Sequence, residues 1–146
     1  MTEISGERIV VGVDGSPLSA AALRWALRQA ELTGAAVEVV YAWHMPTADG
    51  WAPTMELAQS LVRAGEQGLA DTIAEVAGDR PAVPVHARVT EGNAAAVLLQ
   101  AAEGADLLVV GSRGYGGFVG ALLGSVSQHC VQHAPCPVVV VRGKGE

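Results

Sequence analysis

Five short apolar runs, separated by stretches with helical spacing, constrain this chain more than any other feature. Arg8-Ile-Val-Val-Gly-Val-Asp14 is the first, flanked by polar residues and closed by Gly15-Ser16-Pro17, and it reads as a buried parallel strand that delivers Asp14 to its C-terminal tip. From Ser19 to Leu32, Ala22, Trp25, Ala26, Gln29 and Ala30 recur at helical spacing beside Leu23 and Leu27, and Gly34 follows as a stop. Ala36–Trp43 reads as the second strand, and His44–Thr54, rich in Pro, Gly and Asp, as the longest irregular connection. The pattern then predicts a helix over Met55–Ala77 carrying Leu57, Leu61, Leu69 and Ile73, and a strand over Val83–Val89. A helix over Asn93–Ala102, capped by Asn93, leads to a fourth strand over Ala105–Val110. The last helix spans Ser125 to about His133, and the fifth strand Pro137–Arg142.

Strands that alternate with helices require right-handed crossovers, so the expected fold class is α/β, a five-stranded parallel sheet with helices on both faces. At 146 residues the chain has room for one domain with a sizeable core. Half of it is hydrophobic, which fits a compact globular class. A net charge of -6, unbroken by any basic run, argues against a nucleic-acid surface. The opening residues lack a basic n-region and an apolar h-region, and no segment reaches membrane-spanning length, so a soluble, cytoplasmic protein with no membrane partner is expected. On the same ground Cys130 and Cys136 are expected as reduced thiols rather than a disulfide.

Chemistry concentrates after the fourth strand. The run Asp106-Leu-Leu-Val-Val110 ends in Gly111-Ser-Arg-Gly114, nine residues follow, and Gly124-Ser125 opens a helix. Glycine lets a backbone approach an anion closely, and the unpaired N–H groups of a helix start point at it. The alternative for either half alone is a glycine-rich surface loop with a serine helix cap. In an open parallel sheet ligands bind beyond the strand ends where strand order reverses, so Asp14 and Gly111 can face one pocket. The Walker pattern is absent, since Gly143-Lys144 lies in the tail, and the dinucleotide fingerprint fails on glycine spacing.

Val11-Gly-Val-Asp-Gly-Ser16, Glu91-Gly92, Gly111-Ser-Arg-Gly-Tyr-Gly-Gly117, Gly124-Ser-Val126 and His133-Ala-Pro-Cys-Pro-Val-Val-Val-Val141 together resemble the universal stress protein family over nearly the whole chain. The pattern Gly, two residues, Gly, nine residues, Gly, Ser matches that of the family's ATP-binding branch. The resemblance implies a Rossmann-like fold of the adenine nucleotide alpha hydrolase type, one domain over 1–146 with its core at about 8–142. It implies ATP as ligand, with Mg2+ admitted as counterion. Gly12, Val13 and Asp14 would border the adenosine, the Asp14 carboxylate accepting from ribose hydroxyls, and the Ala42 backbone would meet the adenine edge. Val110 and Gly111 would line the nucleoside, with Ser112 beside them. Gly114 would lie against the phosphates, and Gly124, Ser125 and Val126 would offer them N–H groups and a hydroxyl. Arg113, Tyr115, Gly116 and Gly117 share that loop. The implied function is a non-enzymatic, nucleotide-dependent regulator of a stress response, with a slow ATPase and a nucleotide-free dimeric interaction module as alternatives. In the family's strand order the last strand, Val138, Val139, Val140 and Val141, lies at a sheet edge and would pair two copies into a homodimer.

Other residues carry competing readings. Asp14 at a strand tip also suits a turn, bonding the backbone at Gly15 or Ser16. His129 and His133 sit at a zinc-chelating spacing, yet no nearby Cys, Asp or Glu completes a set, and His133 also suits a helix C-terminus. Trp43 and Trp51 flank the long connection and could stack on a base, Trp43 being the better core residue. Ser112, Ser125 and Asp14 have no histidine partner by spacing, so no catalytic residue is assigned.

Overall fold

The computed structural model describes residues 7–45, 54–79, 81–113 and 124–143. Its strands are β1 (Arg8–Gly12), β2 (Ala36–Trp43), β3 (Val85–Glu91), β4 (Leu107–Gly111) and β5 (Val138–Val141). Between them run helices α1 (Pro17–Thr33), α2 (Met55–Ala77), α3 (Ala94–Ala101) and α4 (Ser125–His133). All pairings are parallel and the sheet order is β3-β2-β1-β4-β5. The chain therefore starts at the centre, winds outward through β2 and β3, and returns to the other side of β1. The order reverses between β1 and β4, where α/β sheets open a crevice.

Side chains alternate across each strand, and the two faces carry separate cores. Ile9, Val11, Val37, Val39 and Val109 bury against Ala22, Leu23, Ala26 and Ala30 of α1 and Leu69 of α2. Val10, Val40, Leu108 and Val110 bury on the opposite face against Val97, Leu98 and Ala101 of α3 and Cys130 of α4. Each large aliphatic side chain so buried contributes roughly 1.5–3 kcal/mol. Central strands covered on both faces read as continuous apolar runs, which is why β1 and β4 stand out in the sequence.

Several helix ends follow from single residues. Ser16 caps α1, its Oγ accepting from Ser19 N at 3.2 Å, and Pro17 occupies the first turn, where its missing N–H costs nothing. The helix consequently starts at Pro17, ahead of the Ser19 expected from periodicity. Gly34 ends it with φ +80°, a conformation that costs glycine no Cβ clash. Asn93 caps α3, its Oδ1 accepting from Ala96 N at 3.1 Å. Strand β3 begins two residues later than expected, because Pro84 has no N–H for the ladder and supplies only a carbonyl, which accepts from Val37 N at 2.9 Å. Helix α2 has the expected bounds but a different apolar face. Its fully buried positions are Gly65 and Leu69, whereas Met55 is 73% and Leu57 39% exposed, because its first turns carry no buried residue.

At the N-terminal end of the sheet Arg8 ties several elements together. Its guanidinium donates to Glu38 Oε1 at 2.8 Å and to the carbonyls of Ala101 and Glu103 at 3.0 and 2.7 Å, and Arg88 Nη2 lies 3.2 Å from Glu38 Oε2. Those carbonyls end α3, where a cation is favoured by the helix dipole. This anchor leaves the opposite end of the sheet for the site.

Candidate functional site

A cavity of about 180 Å³ opens at the C-terminal ends of β1 and β4, at the reversal of strand order. Its floor is Gly12 and Val13 from β1, Val40 and Ala42 from β2, and Val110 and Gly111 from β4. Asp14 and Ser19 stand on one side, Ala94 and Leu98 of α3 on another, and Arg113 with Gly124, Ser125, Val126 and Ser127 close it from the α4 side.

Glycine at the strand tips is a requirement of packing here. A Cβ on Gly12 would stand 2.7 Å from Leu98 Cδ1, and one on Gly111 would stand 3.2 Å from Leu18 Cγ. A larger residue at Gly12 would displace the Leu98 side chain, and one at Gly111 would require Leu18 of α1 to give by a few tenths of an ångström. Beyond β1 the chain turns through Gly15 at φ +87°, and Asp14 Oδ1 accepts from Ser16 N at 2.9 Å. The turn reading of Asp14 is therefore met by one carboxylate oxygen. Asp14 N donates to Ser19 Oγ at 3.2 Å, and Ser19 Oγ donates to the Ser16 carbonyl at 2.9 Å, so hydrogen bonds tie this side of the cavity to the start of α1.

The α4 side is different. Gly124 is the N-cap, with φ -73° and ψ 169°, and makes no side-chain cap bond. Ser125, the serine expected as a possible cap, is instead the first helical residue. The first N–H groups of any helix have no intrahelical partner, and here they belong to residues that line the cavity. With Arg113 also lining the cavity, this wall combines helix-start donors with a cation, a set suited to an anionic oxygen. Ala42 and Val110 give the neighbouring floor an apolar surface on which a flat ring can lie.

Ten of the residues singled out in the sequence meet here: Gly12, Val13, Asp14, Ala42, Val110, Gly111, Arg113, Gly124, Ser125 and Val126. Ser112 does not line the cavity. It is fully buried, donating from its N–H to the Val141 carbonyl at 2.8 Å and accepting from Gly124 N at 2.6 Å. Gly114, Tyr115, Gly116, Gly117 and Trp51 lie outside the described residues. Ser19, Val40, Ala94, Leu98 and Ser127 were not singled out, although the Ser16-Pro-Leu-Ser19 spacing signals a cap that fixes Ser19 at the mouth. Trp43 is half-buried at the end of β2 and belongs to neither core. His129 and His133 face each other on exposed α4 positions with ring centroids 4.7 Å apart. No group of three or more metal-ligating side chains occurs among the described residues. Cys130 and Cys136 are free thiols, and burial pushes the Cys130 thiol up to about 11.

No described helix is long and apolar enough to cross a membrane. The pattern that describes the universal stress protein family matches residues 6–142. A universal stress protein of Mycolicibacterium smegmatis is 37% identical over 139 residues, covering 92% of this chain and 45% of its own length. The chain thus spans less than half the length of the curated relatives it matches. Among solved structures, the universal stress protein UspA from Lactobacillus plantarum superposes with a TM-score of 0.76 at 24% identity, covering 93% of this chain and 97% of that one. A universal stress protein in complex with cAMP superposes at 0.69 and 27% identity, covering 94% and 98%. Sequence and fold agree, and the chain belongs to the universal stress protein family.

Proposed function

We propose that the protein binds ATP in the cavity between β1, β4 and α4 and acts as a non-enzymatic, nucleotide-dependent regulator in the cytoplasm. The observation that carries this reading is the convergence of three features at one reversal point. These are glycine-tipped strands, an apolar floor, and a helix start without a side-chain cap that shares the lining with an arginine. The adenine edge meets the Ala42 backbone and the ribose hydroxyls donate to Asp14. The phosphates lie toward Gly124, Ser125, Val126 and Arg113, with Gly114 proposed against them and Mg2+ as counterion. The cAMP complex of the 27% identical relative supports an adenine nucleotide here.

The described lining supports regulation rather than turnover. No histidine is among the described residues that line the cavity, and Ser19 and Ser127 direct their hydroxyl protons at backbone carbonyls. Neither is disposed to serve as a nucleophile paired with a base. The edge strand β5, with all four valines partly exposed, pairs with its copy in a homodimer.

The deciding experiment denatures the purified protein and examines the supernatant for released adenine nucleotide, followed by titration of the stripped protein with ATP. Absence of nucleotide together with absence of binding overturns the reading. Product formation in a single-turnover assay would replace the regulator by an ATPase.

A further inference from the structure

Ser127, in the first turn of α4 and only 2% exposed, joins the start of α4 to the residue that follows β4, between the cavity-lining Gly111 and Arg113. Its Oγ lies 2.8 Å from the Ser112 carbonyl oxygen and 3.1 Å from the Gly124 carbonyl oxygen. A hydroxyl has one proton to donate. The Gly124 carbonyl already accepts from Gln128 N at 2.9 Å, and the Ser112 distance is the shorter, so the proton goes to Ser112. The same Ser112 carbonyl accepts from Gly124 N at 2.6 Å, while the Ser112 N–H donates to the Val141 carbonyl at 2.8 Å. The peptide after β4 is thereby oriented by β5 on one side and offers its oxygen to α4 on the other.

We infer that Ser127 is a positioning residue for the anion-binding end of the cavity: its hydroxyl clamps the start of α4 to the tip of β4. This rests on the nucleotide reading given above. The N–H groups of Ser125 and Val126 act on a phosphate only if they stay at a fixed distance from Gly111 and Arg113. The chain between Arg113 and Gly124 is too long to enforce that distance by covalent geometry. Two hydrogen bonds on one carbonyl, from Gly124 N–H and Ser127 Oγ–H, enforce it instead. Buried hydrogen bonds hold such a geometry firmly because no water competes for the carbonyl.

The test compares wild type with Ser127→Ala by titration with ATP and with adenosine, and by backbone-amide exchange at Gly124 in the nucleotide-free protein. The alanine variant keeps the Gly124 bond to Ser112, so it keeps its fold by circular dichroism. ATP affinity is expected to fall about tenfold, equivalent to ~1.4 kcal/mol. Adenosine affinity stays within about twofold, because the floor is untouched, and Gly124 exchanges about tenfold faster. ATP binding at wild-type strength, equal losses for ATP and adenosine, or unchanged Gly124 exchange each overturns the clamp. A wild type that binds neither ligand removes the nucleotide reading, and the positioning role with it.

Discussion

Replacing Gly12 by alanine tests whether the cavity floor is set by packing between β1 and α3. The backbone allows the change, since Gly12 is not among the described glycines with positive φ, and removing glycine's freedom from the unfolded chain favours the variant by about 0.4–1 kcal/mol. Opposing this, the new Cβ arrives 2.7 Å from Leu98 Cδ1 and 3.0 Å from Leu98 Cδ2. Carbon atoms rest at about 3.5–4.0 Å, so Leu98 must retreat by most of an ångström. It is 5% exposed and packed among Val10, Val40, Ala101 and Val110, so it retreats either against these neighbours or into the cavity it lines. Overpacking of this kind costs about 1–3 kcal/mol. The net expectation is a loss of about 1–2 kcal/mol, or a fall in Tm of about 2–8 °C. Leu98→Ala alone leaves a cavity and costs about 2–5 kcal/mol. In the double variant the alanine at 98 makes room for the Cβ at 12, so its loss should be smaller than the sum of the single losses by about 1 kcal/mol or more. Urea unfolding at constant m reads all four proteins. If Gly12→Ala unfolds with wild type, or the double variant is additive within about 0.3 kcal/mol, Leu98 does not dictate the glycine.

Gly124→Val places a branched side chain where the phosphates are proposed to lie and should abolish ATP binding without unfolding the protein; so should Gly114→Val, and wild-type titrations of both variants would defeat the assignment. Asp14→Ala should weaken ATP more than inorganic triphosphate, since its proposed partner is the ribose, and equal losses would contradict that role. Val139→Lys or Val140→Lys, on edge strand β5, should yield monomers at micromolar concentration by analytical ultracentrifugation, whereas a monomeric wild type would remove the interface. Stability should decline with alkalinity through Cys130, whose pKa rises from 9.0 to about 11 on burial. The unfolded thiol gives up its proton first, so the folded state binds more protons across that window and stability falls from about pH 9, by roughly 2–3 kcal/mol at pH 11. A Cys130→Ala protein should show a shallower decline, read by urea midpoints across the range, and an identical slope would exclude the thiol as its source.

The central strands were legible because burial on both faces leaves no polar position between Ile9 and Gly12 of β1 or within β4 to blur the run. Helix α4 was legible for the opposite reason: Gly124 and Ala134-Pro135 punctuate both of its ends. The apolar face of α2 was not legible. Periodicity marks Leu57 and Leu69 alike, but only Leu69 has sheet beneath it, while Gly65 is buried because a Cβ there would stand 2.9 Å from Tyr41 Cε1. A glycine chosen to admit a neighbour's ring carries no hydrophobic signal. Leu98, Val40 and Ser127 were hidden in the same way, since each reaches the cavity through contacts with a distant segment that local spacing does not encode. Ser112 shows the converse: it sits inside the sequence motif, yet its N–H serves β5 and its carbonyl serves the start of α4, outside the cavity lining.

Two kinds of glycine meet in this cavity, and they argue differently about function. Gly12 faces α3 and Gly111 faces α1, on opposite sides of the sheet, and each is held small by a leucine of the helix packed over it. Those contacts would exist in a protein that bound nothing, so the strand-tip glycines alone do not distinguish a ligand site from a tightly packed crossover. Gly124 differs. Its φ of -73° suits any residue, it begins a helix, and serine, threonine, asparagine or aspartate there would supply a side-chain acceptor for the first-turn donors. A glycine at that cap forgoes roughly a few tenths of a kcal/mol of helix stability, and it leaves the donors of the first turn open toward the cavity. An incoming phosphate recovers the loss by accepting from those donors, whereas a capping side chain would occupy its place. Gly124→Asp therefore separates the two roles of glycine here. It should raise the stability of the nucleotide-free protein by about 0.5 kcal/mol and exclude ATP by occupying the donors with a like charge. A variant that binds ATP as wild type does would mean that the start of α4 is not where the phosphates sit.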